Sequence, residues 1–347
     1  MTMEIGLSGC GGGLESEGEV RDWLVLAEEV ESLGFSSLWI NEEHFQSRAH
    51  TGAARNCVDP MVLAGALAAK TSRLRIGFSA LLLPLHHPIR MAEAIATLDR
   101  ISGGRIDFGI SRGGNQRYFD AFGVDPARAD EAFITSLRQI LDCWREEPLS
   151  LGANSYCILP KPVQRPHPPI YIATYHKERA RWAAEQGFYL IQHGIQSPTH
   201  LATILSAYRS GGGRPEQVPV GRFLYVSNDD RSAYRELFPV IEELTAFLRK
   251  IGITKRGVLT EEELIPERFY QEIVIAGGPA TCAEHLRSMR ELYGIRRVNG
   301  LCSFFGFLPR DLLFRSLTLI AREVLPLLRE DSSTGNVATI PGVSYAE

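Results

Sequence analysis

The sequence has no long apolar run, no basic leader and no paired cysteines, and each absence removes a class of protein. No window approaches the roughly eighteen consecutive apolar residues that a membrane span requires, and the opening MTMEIGLSGCGGG has neither the basic nor the apolar segment of a secretory leader. A cytoplasmic protein with no membrane partner is expected. Cys10, Cys57, Cys143, Cys157, Cys282 and Cys302 show no CxxC or paired spacing, so they read as reduced thiols, mostly core filler, rather than disulfides or zinc ligands. No HExxH or comparable spacing links the histidines, and no metal is expected. An excess of one charge is missing as well: 37 Lys and Arg against 41 Asp and Glu leave a net charge of -4, which gives nucleic acid or an anionic membrane no electrostatic hold. A small-molecule substrate is the default.

Along 347 residues, β-rich runs alternate with helical periodicity, the pattern of βα units around a parallel sheet. The strand candidates are MEIGLS, SSLWI, LRIGFSALLLP, RIDFGIS, IYIAT, YLIQHG, VGRFLYVS and RRVNGLCSFFG. Between them, Trp23, Leu26, Ala27, Val30 and Leu33 form one helical stripe, and Met91, Ala94, Ile95, Leu98 and Ile101 form another that Gly103 and Gly104 end. Asp59 followed by Pro60 reads as a helix start, and a helix runs from about Ala129 to Arg145. The proline-rich LPKPVQRPHPP is a connector. Eight strands with interleaved helices give an α/β fold, a TIM (β/α)8 barrel; the competing open sheet loses its dinucleotide version because no G-x-G-x-x-G follows the first strand. Residues 1–330 form a single domain in this reading. Residues 232–279 are too many for one helical return, so an insertion is expected between strands seven and eight, and 331–347 form a polar tail.

In a parallel barrel the chemistry sits where strands end and helices begin. Strand two ends in NEEHF, strand three carries Ser79 and Ala80, strand four ends in SRGG, strand five in TYHKE and strand six in QHG. Arg112, preceded by Ser111 and followed by Gly113 and Gly114, offers a cation beside unobstructed backbone N–H groups, as a phosphate requires; a surface turn with a solvated Arg is the alternative. Thr174 and Tyr175 ahead of a helix form a second donor cluster on the neighbouring strand end, able to share one anion with the first. His44, beside Glu42 and Glu43, is a candidate acid–base group whose tautomer a carboxylate can fix, and His193 is another; from the residues alone each reads more readily as a half-buried, hydrogen-bonded loop histidine.

The segments LWINEEHF, RIGFSALLLPLHHPIRMAEAIATLDRISGGRIDFGISRG, FDAFGVD, PPIYIATYHKERARWAAEQG and GGPATCAEHLRSM, in this order, resemble the bacterial luciferase-like flavin monooxygenases over about residues 3–330. The block from Arg75 to Gly113 is the specific part. The resemblance implies a luciferase-like TIM barrel with an insertion after strand seven, a homodimer packed through helices two and three, and reduced FMN (FMNH2) in the C-terminal mouth. Arg112 would hold the flavin phosphate, Gly113 would let the backbone close on it, and Thr174 and Tyr175 would add hydrogen bonds. A non-prolyl cis peptide maps to Ser79-Ala80 under the flavin ring. The chain departs from luciferase in having Glu43 in place of the catalytic first histidine, Ser111 in place of a cysteine, and Thr174-Tyr175 in place of Glu-Ser.

The implied activity is a two-component monooxygenase: FMNH2 from a separate NAD(P)H:flavin reductase, with O2, oxygenates a small organic substrate. The absence of a dinucleotide fingerprint agrees with an external reductant. Two alternatives stay open: an F420-dependent oxidoreductase that moves hydride without O2, and a non-catalytic flavin-binding or partner subunit.

Overall fold

The computed structural model describes residues 3–10, 20–45 and 58–330. The tail 331–347 and Cys57 lie outside the described residues. Among these residues stand the parallel strands β1 (Glu4–Cys10), β2 (Ser37–Ile40), β3 (Arg75–Phe78), β4 (Ile106–Ser111), β5 (Ile170–Ala173), β6 (Tyr189–Ile191), β7 (Pro219–Val226) and β8 (Arg297–Gly300). They neighbour one another in chain order from β1 to β6, with β8 between β1 and β7. A parallel bridge from Gln192, just past β6, to Val220 of β7 joins the two ends. The result is the expected TIM barrel.

Local signals set the helices. Asp59 accepts hydrogen bonds from the N–H groups of Met61 (2.9 Å) and Val62 (3.0 Å) and, with Pro60 in the first turn, starts the helix Pro60–Lys70. The helix Val20–Leu33 buries Trp23, Leu26, Ala27 and Val30 against the strands. The helix Pro88–Ser102 ends at Gly103, whose φ of +66° closes the last turn. Its buried face differs from the expected stripe. Ala92, Ala96 and Asp99 are buried, whereas Ile101 is 53% exposed, because Asp99 accepts N–H bonds from Val163 (2.7 Å) and Gln164 (2.9 Å) of the proline-rich connector and turns that side inward.

Three other segments depart from the sequence reading. The third strand breaks at a cis Ser79-Ala80 peptide and resumes for Leu81–Leu82 beside β4. A helix, Gln116–Phe122, precedes the expected one, which spans Ala129–Trp144. An antiparallel hairpin, Leu149–Leu151 with Asn154–Tyr156, lies ahead of the proline-rich connector. Between β7 and β8 the chain forms the helix Asp230–Lys250, a turn at Ile253–Arg256, the helix Pro266–Glu272, a short strand Val274–Gly277 on the second half of β7, and the helix Pro279–Tyr293. Cys143, Cys282 and Cys302 are buried free thiols, and Cys157 is exposed.

Register decides which side chains enter the barrel. Trp39 pairs with Gly77, Gly77 with Asp107, Gly109 with Tyr171 and Glu4 with Arg297, so these alternate positions face inward. Gly77 makes room for the Trp39 ring, since a Cβ there would stand 2.3 Å from it, and Trp39 meets Tyr171 edge-on at 5.2 Å. The floor of the lumen is ionic. Buried Asp107 takes Arg75 Nη2 at 2.5 Å and Nε at 3.0 Å and has Arg297 3.8 Å away, while Arg297 donates to the Tyr171 hydroxyl at 2.7 Å.

Candidate active site

The C-terminal mouth begins at the ends of β2 and β3. Ser79 donates to Asn41 Oδ1 at 2.8 Å and lies 3.5 Å from Ser8 Oγ, so the cis Ser79-Ala80 step is tied to the ends of β1 and β2. Glu42 is buried. Its Oε1 receives His44 Nε2 at 3.0 Å and His86 Nε2 at 2.8 Å, and its Oε2 receives the Leu82 N–H at 2.6 Å. Burial raises its pKa, but these donors outweigh burial and hold the carboxyl below the ordinary range. Glu43 behaves oppositely: burial pushes its carboxyl up, only partly offset by the Tyr118 hydroxyl, which donates to Oε2 at 2.7 Å. The same hydroxyl accepts the His44 backbone N–H at 3.1 Å. The His44 ring sits among Tyr118, Phe122 and Phe45, with centroids at 5.3, 4.8 and 5.8 Å.

At the end of β4, Arg112 Nε lies 2.9 Å from Asp130 Oδ2 but off the line of a hydrogen bond, and the atom is buried. The guanidinium also reaches the Pro126 carbonyl at 3.2 Å and lies 6.0 Å from the centroid of Phe119. Asp130 binds Arg179 as well, from the first turn of the helix Lys177–Glu185 that follows β5. Two arginines therefore share one carboxylate, leaving a net positive group across the ends of two neighbouring strands. Gly113 has φ +76°, a left-handed conformation, and its N–H turns to Ser111 Oγ at 3.2 Å. Thr174 accepts the His176 N–H at 3.1 Å, and its carbonyl takes Gln192 Nε2 at 3.1 Å. Burial pushes the Tyr175 hydroxyl up to about 12, so it stays a neutral donor. An excess of cation over carboxylate beside a left-handed glycine fits a phosphate, and the residues present suit the phosphate end of FMN.

His193, past β6, stacks on Phe305 at 6.2 Å, and its Nδ1 accepts the Ile195 N–H at 3.4 Å. Burial first, and then the charge of Arg256, lower its pKa to about 4, so the ring is neutral at physiological pH. Arg256, in the turn Ile253–Arg256, is felt electrostatically at Glu43, Tyr175 and His193, three groups from different sides of the mouth. Positive φ values at non-glycine residues among the described residues fall at Phe45, Phe304 and Phe305, past β2 and β8, where bulky side chains adopt such angles only under constraint from their surroundings.

Glu43 and His44 are thus brought together by Tyr118, and Arg112 is joined to the β5 turn through Asp130. Sequence reasoning missed Tyr118, His86, Asp130, Arg179 and Arg256. The adjacent His86-His87 pair just past the third strand was a readable signal; the others act through contacts far along the chain.

The sequence matches the luciferase-like monooxygenase family over residues 3–296, and the chain belongs to that family. It is 30% identical over 355 residues to the alkanal monooxygenase alpha chain of Photorhabdus luminescens, covering 91% of this chain and 93% of that one. Among solved structures it resembles the oxygenating constituent of 3,6-diketocamphane monooxygenase from Pseudomonas putida in complex with FMN, with a TM-score of 0.76 and 22% identity over 94% of this chain and 99% of that one. An F420-dependent secondary alcohol dehydrogenase shares the fold at a TM-score of 0.71 and 16% identity, covering 95% of this chain and 100% of that one. Among the described residues no helix is long and apolar enough to cross a membrane, and no cluster of ligands could hold a metal ion.

Proposed function

We propose that the mouth binds reduced FMN, delivered by a separate NAD(P)H:flavin reductase, and that the protein oxygenates a small organic substrate with O2. The observation that carries this reading is the Arg112–Asp130–Arg179 group beside left-handed Gly113, a positive phosphate seat at the ends of β4 and β5. Reduced FMN, when bound, supplies the electrons that activate O2. Arg112 and Arg179 would neutralise the phosphate, with Ser111, Thr174 and Tyr175 as further polar contacts, and Ser79-Ala80 would help hold the ring. His44 moves a proton at the reacting edge, with Glu43 and His193 as the other candidates, and the Phe45, Tyr118 and Phe122 side chains exclude water. The FMN-bound diketocamphane relative supports the choice of cofactor. The family resemblance supports a homodimer packed through the helices Pro60–Lys70 and Pro88–Ser102.

Anaerobic titration with reduced FMN and with reduced F420, followed by air, tests the reading. Binding of FMN and oxygen consumption on mixing are expected. Tight binding of F420 with none of FMN would replace it with hydride transfer, the alternative that the F420-dependent relative represents. Flavin binding with no oxygen chemistry would leave a non-catalytic carrier.

A further inference from the structure

His86 has no part in the flavin reading, yet it shares a single carboxylate oxygen with the candidate acid–base group. His44 Nε2 and His86 Nε2 stand 3.0 and 2.8 Å from Glu42 Oε1, and the other oxygen is occupied by the Leu82 N–H. The Glu42 side chain is 1% exposed, against 24% for His44 and 28% for His86, so each ring reaches outward from a common buried anchor.

We propose that His44, Glu42 and His86 form one proton-holding unit, in which the shared carboxylate fixes both rings as Nε2–H tautomers, makes Nδ1 of His44 the atom that exchanges protons, and couples its protonation to that of His86. The inference rests on the reading of His44 as the acid–base group and names Glu42 and His86 as positioning residues.

The tautomers follow from donor counting. Glu42 is ionised, so its oxygens only accept, and each Nε2 facing Oε1 must carry its hydrogen. Neither Nδ1 has a hydrogen bond among the described residues, so the next proton goes there. It arrives on Nδ1 of His44 and leaves from the same atom, while Nε2–H stays on the carboxylate; no proton passes to Glu42. One carboxylate compensates one imidazolium, and a second would stand uncompensated beside the first, so uptake is stepwise. Among the described residues, Glu43 is the other carboxylate in electrostatic contact with His44, but burial favours its neutral form and the Tyr118 hydroxyl donates to it, while Arg117 is tied to the Phe45 carbonyl at 2.9 Å.

Imidazole ¹⁵N NMR of the full chain without flavin, across about pH 5 to 9, reads tautomer and protonation of each ring. The expected wild-type result is Nε2–H on both neutral rings and a His44 protonation curve that responds to proton uptake by His86. His86→Gln keeps a donor to Glu42 but cannot titrate, so the His44 curve should lose that response, and the acidic limb of turnover should move with it. Glu42→Gln should abolish the Nε2–H preference of His44; should that variant not fold, the His86→Gln comparison stands alone. A His44 curve identical in wild type and His86→Gln overturns the proposal, as does a neutral His44 carrying its hydrogen on Nδ1. The flavin reading fails by a different measurement, the FMN titration, on which the NMR titration does not depend.

Discussion

The two ends of the barrel lumen are both lined with charge, and they use it differently. On the floor, Asp107 is saturated by Arg75 and faced by Arg297, and Arg297 is further bound to Tyr171 and lies 3.4 Å from Glu4. At the mouth, Nδ1 of His44 has no hydrogen bond among the described residues, Arg112 Nε is buried without an aligned acceptor, and two arginines share one Asp130. A closed ion network fixes the packing of the strands; an open one has capacity left for a ligand. The contrast assigns stability to the floor and chemistry to the mouth, as barrel architecture allows.

The sharpest way to break this comparison is to open the floor. Asp107→Asn removes the buried carboxylate that half-buried Arg75 and nearby Arg297 share and should cost about 3 to 5 kcal/mol in chemical denaturation, with flavin affinity of the folded protein unchanged. An equal loss of flavin affinity would mean that the two ends are one system. At the mouth the pattern should invert. His44→Ala should lower turnover by about two to four orders of magnitude while flavin affinity stays within a few fold, and stability should fall by only about 1 to 3 kcal/mol for the donor taken from buried Glu42. Glu43→Gln should be milder; the reverse order in single-turnover assays would move the acid–base role to Glu43.

The smallest effect concerns acid. His193 is neutral in the folded protein with its pKa lowered to about 4, while the unfolded chain protonates it near 6.5, so between these values the unfolded state binds more protons. Its contribution is complete above pH 6.5 and is lost as pH falls toward 4. Glu31 adds a second window. Burial pushes its carboxyl up, but the N–H groups of Ser72, Arg73 and Leu74 and the Ser72 hydroxyl prevail and bring it to about 2, so its contribution is lost as pH falls from about 4.5 to 2. Denaturation at pH 7 and pH 5 should show a smaller pH difference in His193→Gln than in wild type, and no change in that difference would assign the loss elsewhere.

Much of the barrel could be read directly, because strand and helix periodicity, the Asp59-Pro60 start and the Gly103 stop are local signals. The strand ends could be read too, since polar residues just after apolar runs stand out. What stayed hidden was set by distance. His86 meets Glu42 across 44 positions, and Asp130 meets Arg179 across 49, pairs that no local pattern marks. Ile101 was misplaced for a related reason: Asp99 is buried by the connector, an acidic residue that periodicity assigns to solvent. The hairpin at 149–156 is short and exposed and lacks the alternation that would announce it.

The claim that the mouth is a phosphate-anchored flavin site is tested most directly by comparing FMN with riboflavin in wild type and Arg112→Ala. The account predicts that the substitution weakens FMN binding by about 2 to 4 kcal/mol and leaves riboflavin binding nearly unchanged, because only FMN carries the phosphate. Equal losses for the two ligands, or none for either, would contradict it.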